Sequence, residues 1–378
     1  MKRFYGLFIS LLFTIYSFAD YTGVITTNIN ELTFGEQDGY DVLTLSKGEY
    51  TSLVGQPQLP VKTFTYLIPA DVSVSGITVT SNSVVQLSGY YNILPVQEPV
   101  PLNIAPSAIM FNEPDTLVYG SNTPYPSNLC EIISDGFARG YHIVKLRFYP
   151  VEYLPLSGTV KLHTSISFSI NYGTGNSNQC IRPLQQSEYS YENTKSYIKA
   201  LVENKSDIDN VAGGALKVVG SATQIENLRG LQPTSINFIP DYVIITKEEF
   251  IPGFRNLAEW KTKKGVYTII VDVEDIYSSY QGYDRQEKIR NFIKDAYLNW
   301  GISYVLIGGD TEIIPVRFTR ITETDWYYSA LEGTWNANNN NIFGEPEDGT
   351  LLYANVSVGR VPPVLRDLYS RRLEYKDL

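Results

Sequence analysis

Between residues 240 and 315 strand and helix signals alternate without interruption, and no other stretch restricts the fold of this chain so much. Residues 242–246 (YVIIT) are a short β-branched apolar run, the length and composition of a strand buried on both faces of a parallel sheet. Pro252 opens a helix and Gly265 ends it. Phe254, Leu257 and Ala258 mark its apolar face, and Lys261, Lys263 and Lys264 occupy the last turn, where cations suit the helix dipole. A second strand is expected at 267–271. Asp284 followed by Glu287 is a capping-box pattern, and Ile289, Phe292, Ile293, Ala296, Tyr297 and Trp300 then recur at helical spacing until Gly301 closes the helix. Residues 304–307 (YVLI) make a third buried strand. It delivers Gly308, Gly309 and Asp310 to its carboxyl end, where an open α/β sheet collects ligands and chemistry.

With 378 residues the chain has room for a second domain with its own core. Residues 1–19 belong to neither domain. Lys2 and Arg3 precede an apolar run over 6–18, and Ser17 and Ala19 supply the small-x-small pattern of a signal-peptidase site before Asp20, so a secreted, cell-surface or periplasmic protein is expected. No other stretch approaches a membrane span. Without Lys2 and Arg3 there remain 28 basic against 40 acidic residues, a net charge of about −12 that argues against nucleic acid or an anionic membrane as partner. Such acidity chiefly keeps a protein soluble.

From residue 21 to about 172 no helical period holds. Residues 72–80 (VSVSGITVT) alternate, as do 159–170 (TVKLHTSISFSI), with Val160, Leu162, Thr164, Ile166, Phe168 and Ile170 on one face. Turn signals at Ser157–Gly158 and proline-rich connections over 95–106 and 124–126 fit an antiparallel sandwich or barrel. His163 falls on the polar face of its strand, and His142 lies in a similar run; both are expected at the surface rather than as ligands or bases. A Gly/Asn/Ser stretch over 171–179 ends this region, a modest helix is expected over 191–203, and residues 204–239 have the composition of a linker. Within it Arg229, before Gly230, and Lys217 are basic sites open to processing by a trypsin-like activity.

Beyond Pro315 the chain is polar and aromatic. Asp325, Glu345 and Asp348, with Asp310 as a weaker member, are candidate Ca²⁺ ligands in a segment dense in oxygen-bearing side chains and punctuated by Gly333, Gly344 and Gly349. The spacing is not that of an EF-hand, and a solvated Asn-rich loop fits the same residues. Residues 355–358 (NVSV) return as a short strand that Gly359–Arg360 ends, and another helix is expected from Leu365.

The chemistry the chain lacks is equally informative. No G-x-G-x-x-G follows a strand and no P-loop occurs. Its two cysteines, Cys130 and Cys180, and two histidines, His142 and His163, all precede residue 181, which removes a Cys/His dyad, a Ser/His/Asp triad and a histidine zinc site from the α/β portion. Whether the cysteines pair is left open. Asp310 is the best placed carboxylate for acid/base work there, and the simpler reading is that it caps a turn or holds an ion.

In order, the segments 55–60 (GQPQLP), Ile68–Pro69, 95–99 (PVQEP) and 148–158 (FYPVEYLPLSG) resemble the β-rich propeptide of the gingipain family of secreted cysteine peptidases. The segments 241–246 (DYVIIT), Trp260–Lys261, Lys264–Gly265, 304–310 (YVLIGGD), Ile314–Pro315, 324–328 (TDWYY) and 358–362 (VGRVP) resemble its catalytic domain. The resemblance implies an antiparallel all-β propeptide-like domain over 20–173, a linker or processing region over 174–239, and over 240–378 the N-terminal part of an incomplete α/β caspase-like domain, with a parallel sheet and helices on both faces. It further implies calcium stabilisation, synthesis as an inactive precursor, a propeptide that packs on a catalytic domain and blocks its cleft, and protein or peptide substrates for the complete enzyme. In that family the catalytic His-Gly and the nucleophilic Cys follow the V-G-R-x-P segment, and this sequence ends before either. The resemblance therefore assigns no catalytic residue, and the chain is expected to be inactive. The alternative is a non-enzymatic secreted β module, inhibitor-like or adhesive, with a degenerate α/β remnant.

Overall fold

Alternating residues in the first half make antiparallel sheets whose inner faces meet. In chain order the strands are β1 (Tyr21–Thr26), β2 (Leu32–Gln37), β3 (Tyr40–Leu45), β4 (Glu49–Tyr50), β5 (Pro60–Ile68), β6 (Val72–Gln86), β7 (Cys130–Ala138), β8 (Tyr141–Phe148), β9 (Val151–Leu154) and β10 (Thr159–Thr174), with a one-turn helix α1 (Thr116–Tyr119) between β6 and β7. The computed structural model describes residues 20–100, 110–174, 180–211, 217–218, 239–320, 322–350 and 353–361. The expected signal peptide, Arg229 and the helix expected from Leu365 lie outside the described residues.

One sheet has the order β1-β10-β6 with β9 also on β10, a second has β4-β5-β8-β7, and β2 pairs with β3. Between the first two sheets Tyr66, Ile68, Val144, Leu146, Phe148, Ile166, Phe168 and Ile170 form one apolar cluster. The rings of Phe148 and Phe168 meet edge to face at 5.1 Å. Full burial of side chains like these contributes about 1.5–3 kcal/mol each, so this domain is held by the apolar face that its alternation specifies.

The alternation misleads at one place. Register shifts between His163 and Ser165 put an irregularity in β10, and His163 is buried beside Leu162 instead of facing solvent. His142 is buried as well: its Nε2 lies 2.5 Å from Asp135 Oδ1, its Nδ1 3.2 Å from the Pro69 carbonyl, and its ring stacks on Phe137. Neither histidine is the surface residue expected. Cys130 and Cys180 are both free thiols.

After this domain β11 (Gln185–Gln186), α2 (Glu188–Leu201), α3 (Ile208–Val211) and β12 (Lys217–Val218) follow, β11 pairing in parallel with β12. The expected helix thus starts three residues early, because Ser187 caps it by accepting from Ser190 N at 3.0 Å.

The second half contains β13 (Tyr242–Thr246), α4 (Ile251–Lys263), β14 (Thr268–Asp272), α5 (Val273–Ser279), α6 (Arg285–Trp300) and β15 (Tyr304–Gly308). A small hairpin, β16 (Arg317–Phe318) with β17 (Glu323–Thr324), a one-turn helix α7 (Trp326–Ser329) and β18 (Ser357–Val361) complete it. The sheet order is β14-β13-β15-β18, and every pair is parallel. Ala258, Phe254 and Leu257 of α4 cover one face against Ile244 and Leu306. On the other face Ile289, Phe292, Ile293, Ala296, Tyr297 and Trp300, the stripe read from the sequence, pack against Val243, Ile245, Val305 and Ile307. Helix α6 begins as expected: Asp284 accepts from Glu287 N, while Glu287 reaches back to Tyr283 N. Gly301 ends it in the left-handed region at φ +69, where an added Cβ would also strike the Gln185 carbonyl. Two details differ from expectation. Helix α5 was not expected and starts where Asp272 accepts from Glu274 N, and β18 continues through Gly359–Arg360 to Val361 instead of ending there.

Candidate functional site: the carboxyl edge of the parallel sheet

Strands β13, β15 and β18 all end on one edge, and the loops there are pinned by one guanidinium. Arg360, near the end of β18, donates from Nη1 to the carbonyls of Gly309 at 2.9 Å, Asp310 at 3.2 Å and Ile314 at 2.8 Å. Its Nε and Nη2 meet the two carboxylate oxygens of Asp325 at 2.7 and 2.6 Å. A planar fork with five donors suits this double task, and a lysine could not repeat it. Thr246 Oγ1 donates to the Gly308 carbonyl at 2.6 Å, and a Cβ on Gly308 would lie 2.6 Å from the Phe254 ring. The Gly308–Gly309 pair therefore lets β15 turn sharply between α4 and the loop that follows.

Asp310 caps that loop. Its Oδ1 accepts from Glu312 N and Ile313 N, both at 3.2 Å, which is the simpler of its two sequence readings. The remaining candidate ligands are engaged separately. Asp325 is held by Arg360; Glu345 Oε2 accepts from Asn338 and Asn340 side chains; Asp348 accepts from Ala337 N at 2.7 Å and Glu345 N at 3.1 Å. Among the described residues no three His, Cys, Asp or Glu side chains gather as a metal site.

The loop between α7 and β18 is not the wholly solvated segment its composition allows. Leu331, Trp335 and Phe343 of this loop join Tyr327 and Tyr328 of α7 in the core on the α6 face, while the Asn-rich tip stays exposed. Two further arginines make this fold-back feasible. Arg290, buried on α6, donates to the carbonyls of Tyr327, Ala330, Glu332 and Gly333 at 2.8–3.2 Å. Arg317 forks onto Asp284 at 2.7 and 2.8 Å and lies 4.4 Å from the centre of the Tyr327 ring and 3.8 Å from that of Phe343. Glu332 is buried below them. Asn355 Nδ2 donates to its Oε1 at 2.8 Å, its Oε2 has no hydrogen-bond partner, and burial raises its carboxyl to about 7 against the pull of Arg290 and Lys294. Sequence reasoning named Arg360 only as the end of a strand and within the VGRVP segment, and gave no role to Arg290, Arg317 or Glu332. The available signal was a charge inside an apolar stripe: Arg290 stands seven residues before Tyr297 on the buried side of α6.

The thiols and imidazoles do not meet at this edge. Cys130 sits in the sandwich core opposite Phe148, and burial pushes its thiol up to about 12. His142 pairs with Phe137, towards the other end of the same β7–β8 ladder. Burial also raises the thiol of Cys180, whose Sγ lies 3.7 Å from the Gly140 carbonyl. The carboxyl edge holds backbone donors, carboxylates and guanidinium groups, and no nucleophile–base pair among the described residues.

Comparison with known proteins gives the arrangement a family. Residues 24–196 match the C25 propeptide model and residues 236–364 the model of peptidase family C25. Gingipain R1 of Porphyromonas gingivalis is 22% identical over 313 residues, covering 80% of this chain and 27% of the relative; gingipain R2 of the same organism is 20% identical over 227 residues, covering 60% and 27%. This chain thus spans about a quarter of the length of these curated relatives. Among solved structures, the complex of the P. gingivalis RgpB pro- and mature domains is 16% identical with a TM-score of 0.40, covering 50% of this chain and 96% of that one. Gingipain K from the same organism, solved to explain its zymogenic latency, is 21% identical with a TM-score of 0.35, covering 41% and 89%. The two family models follow each other in the order of the two domains described above, and the chain belongs to the gingipain family, carrying a C25 propeptide followed by part of a C25 peptidase domain.

Proposed function

We propose that this chain is the precursor portion of a secreted gingipain-like cysteine endopeptidase, with residues 20–173 as propeptide and residues 240–378 as the first part of a caspase-like catalytic domain. The observation that carries this reading is the carboxyl edge: a four-stranded parallel sheet, with helices on both faces, delivers Gly309, Asp310 and Arg360 to one side and locks their loops before any nucleophile is present. An edge of this kind is a prepared floor for chemistry supplied by other residues. A degenerate remnant fits less well, because the apolar cluster around α6 is continuous from β13 to the loop after α7.

The chain by itself has no peptidase activity in this reading. Amide cleavage by the family's route needs a thiolate, an imidazole to activate it and oxyanion donors, and here the thiols and imidazoles are sequestered in or beside the β domain. The test is to purify residues 20–378 and assay Arg-, Lys- and general-peptide substrates with calcium and a reductant. No turnover is expected. Turnover abolished by Cys130→Ala or Cys180→Ala overturns the reading. Arg229 is proposed as the processing site, and residues 1–19 as the export signal.

Calcium binding is proposed for the Asn-rich tip. Support comes from the gathering of the oxygen-bearing side chains of Asn338, Asn340 and Glu345 at one tip, the type of group that calcium takes. Asp348 closes the same turn, whereas Asp325 and Asp310 are occupied by Arg360 and by backbone amides. Binding only to the folded state raises the melting temperature. An equal melting temperature in excess calcium and in excess chelator sinks the proposal.

A further inference from the structure

The segment from Ala330 to Phe343 lies on the α6 face as a strap, and one nitrogen of Arg290 carries most of the hold on its root. Nη2 alone donates to the carbonyls of Ala330 at 2.8 Å, Glu332 at 3.1 Å and Gly333 at 3.2 Å. Two hydrogens shared among three neutral acceptors make bonds that a single stronger acceptor can draw away. Trp335 rests on the same root: its Nε1 donates to Ala330 O at 3.2 Å, and its ring meets that of Tyr327 edge to face at 5.5 Å. Losing the Arg290 bonds therefore undoes the seat of the strap's largest side chain.

A stronger acceptor stands on the strap itself. Glu332 is buried, its Oε1 takes Asn355 Nδ2 at 2.8 Å, and Asn355 Oδ1 takes the Leu331 amide at 2.7 Å. Glu332 Oε2 has no partner among the described residues, an arrangement that a neutral acid tolerates far better than a carboxylate. Burial is the largest influence on this carboxyl and raises it to about 7, against the Asn355 amide, Arg290 and Lys294. Two further titratable groups face it, Tyr297 of α6 and Cys180 before β11. Burial raises both, so neither carries charge near neutral pH. Arg290 in turn lies over the Tyr327 ring at 5.0 Å and feels the charges of Glu287 and Arg317.

We propose that Glu332 and Arg290 form a proton switch that docks the strap on α6 in mild acid and releases it in mild alkali. With its proton on, the acid makes no demand on Arg290, and the guanidinium stays on the strap carbonyls as described. When the proton leaves to water, Oε2 becomes a charged acceptor beside a guanidinium, and such a charge-assisted bond is about twice as strong as a neutral one. Arg290 turns to the carboxylate, and the carbonyls of Ala330 and Gly333 lose their donor. One proton thus selects between two discrete arrangements of the strap. Neither state involves the sandwich, and the switch holds whether or not the chain is a peptidase precursor.

The test is hydrogen exchange by mass spectrometry on residues 20–378 in the native state, in steps from pH 6 to pH 8 and corrected for the intrinsic rate. Amides of residues 331–343 are expected to exchange at least tenfold faster at pH 8 than at pH 6, while those of β13 and β15 keep their protection. Glu332→Gln cannot ionise, so its strap should stay protected at both ends of the range. Lys294→Met removes a cation that favours the carboxylate, so the pH of half-release should rise. His163→Gln, in the sandwich, should leave that pH in place. If Glu332→Gln fails to fold, the Lys294→Met shift still decides. Equal protection of the strap at pH 6 and pH 8 overturns the proposal. So does release that persists in Glu332→Gln, or a half-release pH that Lys294→Met leaves in place or lowers.

Discussion

The β domain and the α/β domain solve the burial of polar groups in different ways. In the first, regular ladders pair the backbone, and the buried polar side chains are few and local, such as His142 with Asp135 or Thr51 between Pro57 O and Leu59 N. In the second, most of the described residues beyond 308 run in loops, and three guanidinium groups supply the donors that those loops lack. Arg290, Arg317 and Arg360 do for carbonyls and carboxylates there what strand pairing does in the sandwich. A domain built around a ligand-collecting edge has to hold irregular backbone rigidly, and buried arginine is an economical means of doing so.

The largest way to break this contrast is Arg290→Ala. It leaves four carbonyls without their donor and a cavity on α6, and a loss of about 3–5 kcal/mol is expected, measured as a shift in the denaturant midpoint of the α/β transition. The β domain's transition should not move. A shift below about 1 kcal/mol would show that the loop is held by its aromatic residues alone.

Acid separates the two domains in the next test. Glu332 binds its proton more tightly in the folded state, at about 7 against 4.5 in the unfolded chain. Its contribution is therefore complete below pH 4.5 and is lost as pH rises through 7, an effect of about 3 kcal/mol at 1.36 kcal/mol per pH unit. Burial lowers His163, against the attraction of Glu152, so the unfolded chain takes that proton first and the β domain loses stability as pH falls below 6.5. Thermal scans from pH 4.5 to 8 should show the two transitions moving in opposite directions. Glu332→Gln should flatten the α/β response and raise its stability at pH 8.

The smallest effect belongs to the sandwich. Ile166→Val removes one methylene from the cluster between the sheets and should cost about 1 kcal/mol in the β transition only. A cost several times larger would mean that the two sheets repack poorly around Phe148 and Phe168.

The elements carrying the fold were legible because each rests on a period. YVIIT, YVLI and the stripe from Ile289 to Trp300 are apolar at the spacing their surroundings require, and all but the opening tyrosine of each strand are buried as read. The loops were not legible, since what orders them is a single charge meeting several distant carbonyls. Nothing near Arg360 in the sequence points to Gly309, Ile314 and Asp325 together, and Asp325 looked like a free ligand only because its partner lies 35 residues away. His163 was misplaced for a similar reason: an irregularity in a strand leaves no mark in the side-chain pattern. Ser187 and Ser190 lie just before the helix expected over 191–203 and carry no signal of their own; their bonds to the helix start and to Asp241 appear only in the fold.

Thiol reactivity tests most directly whether this chain is a peptidase precursor without a working nucleophile. The native protein, at pH 7.5 with calcium, is treated with an arginyl chloromethyl ketone, and Cys130 and Cys180 are followed by mass spectrometry. Burial raises both thiols, so neither should be alkylated until denaturant unfolds the chain, and the rate should then match that of a free cysteine. Rapid, saturable labelling of either cysteine in the native chain, with the arginyl group required, would contradict this reading.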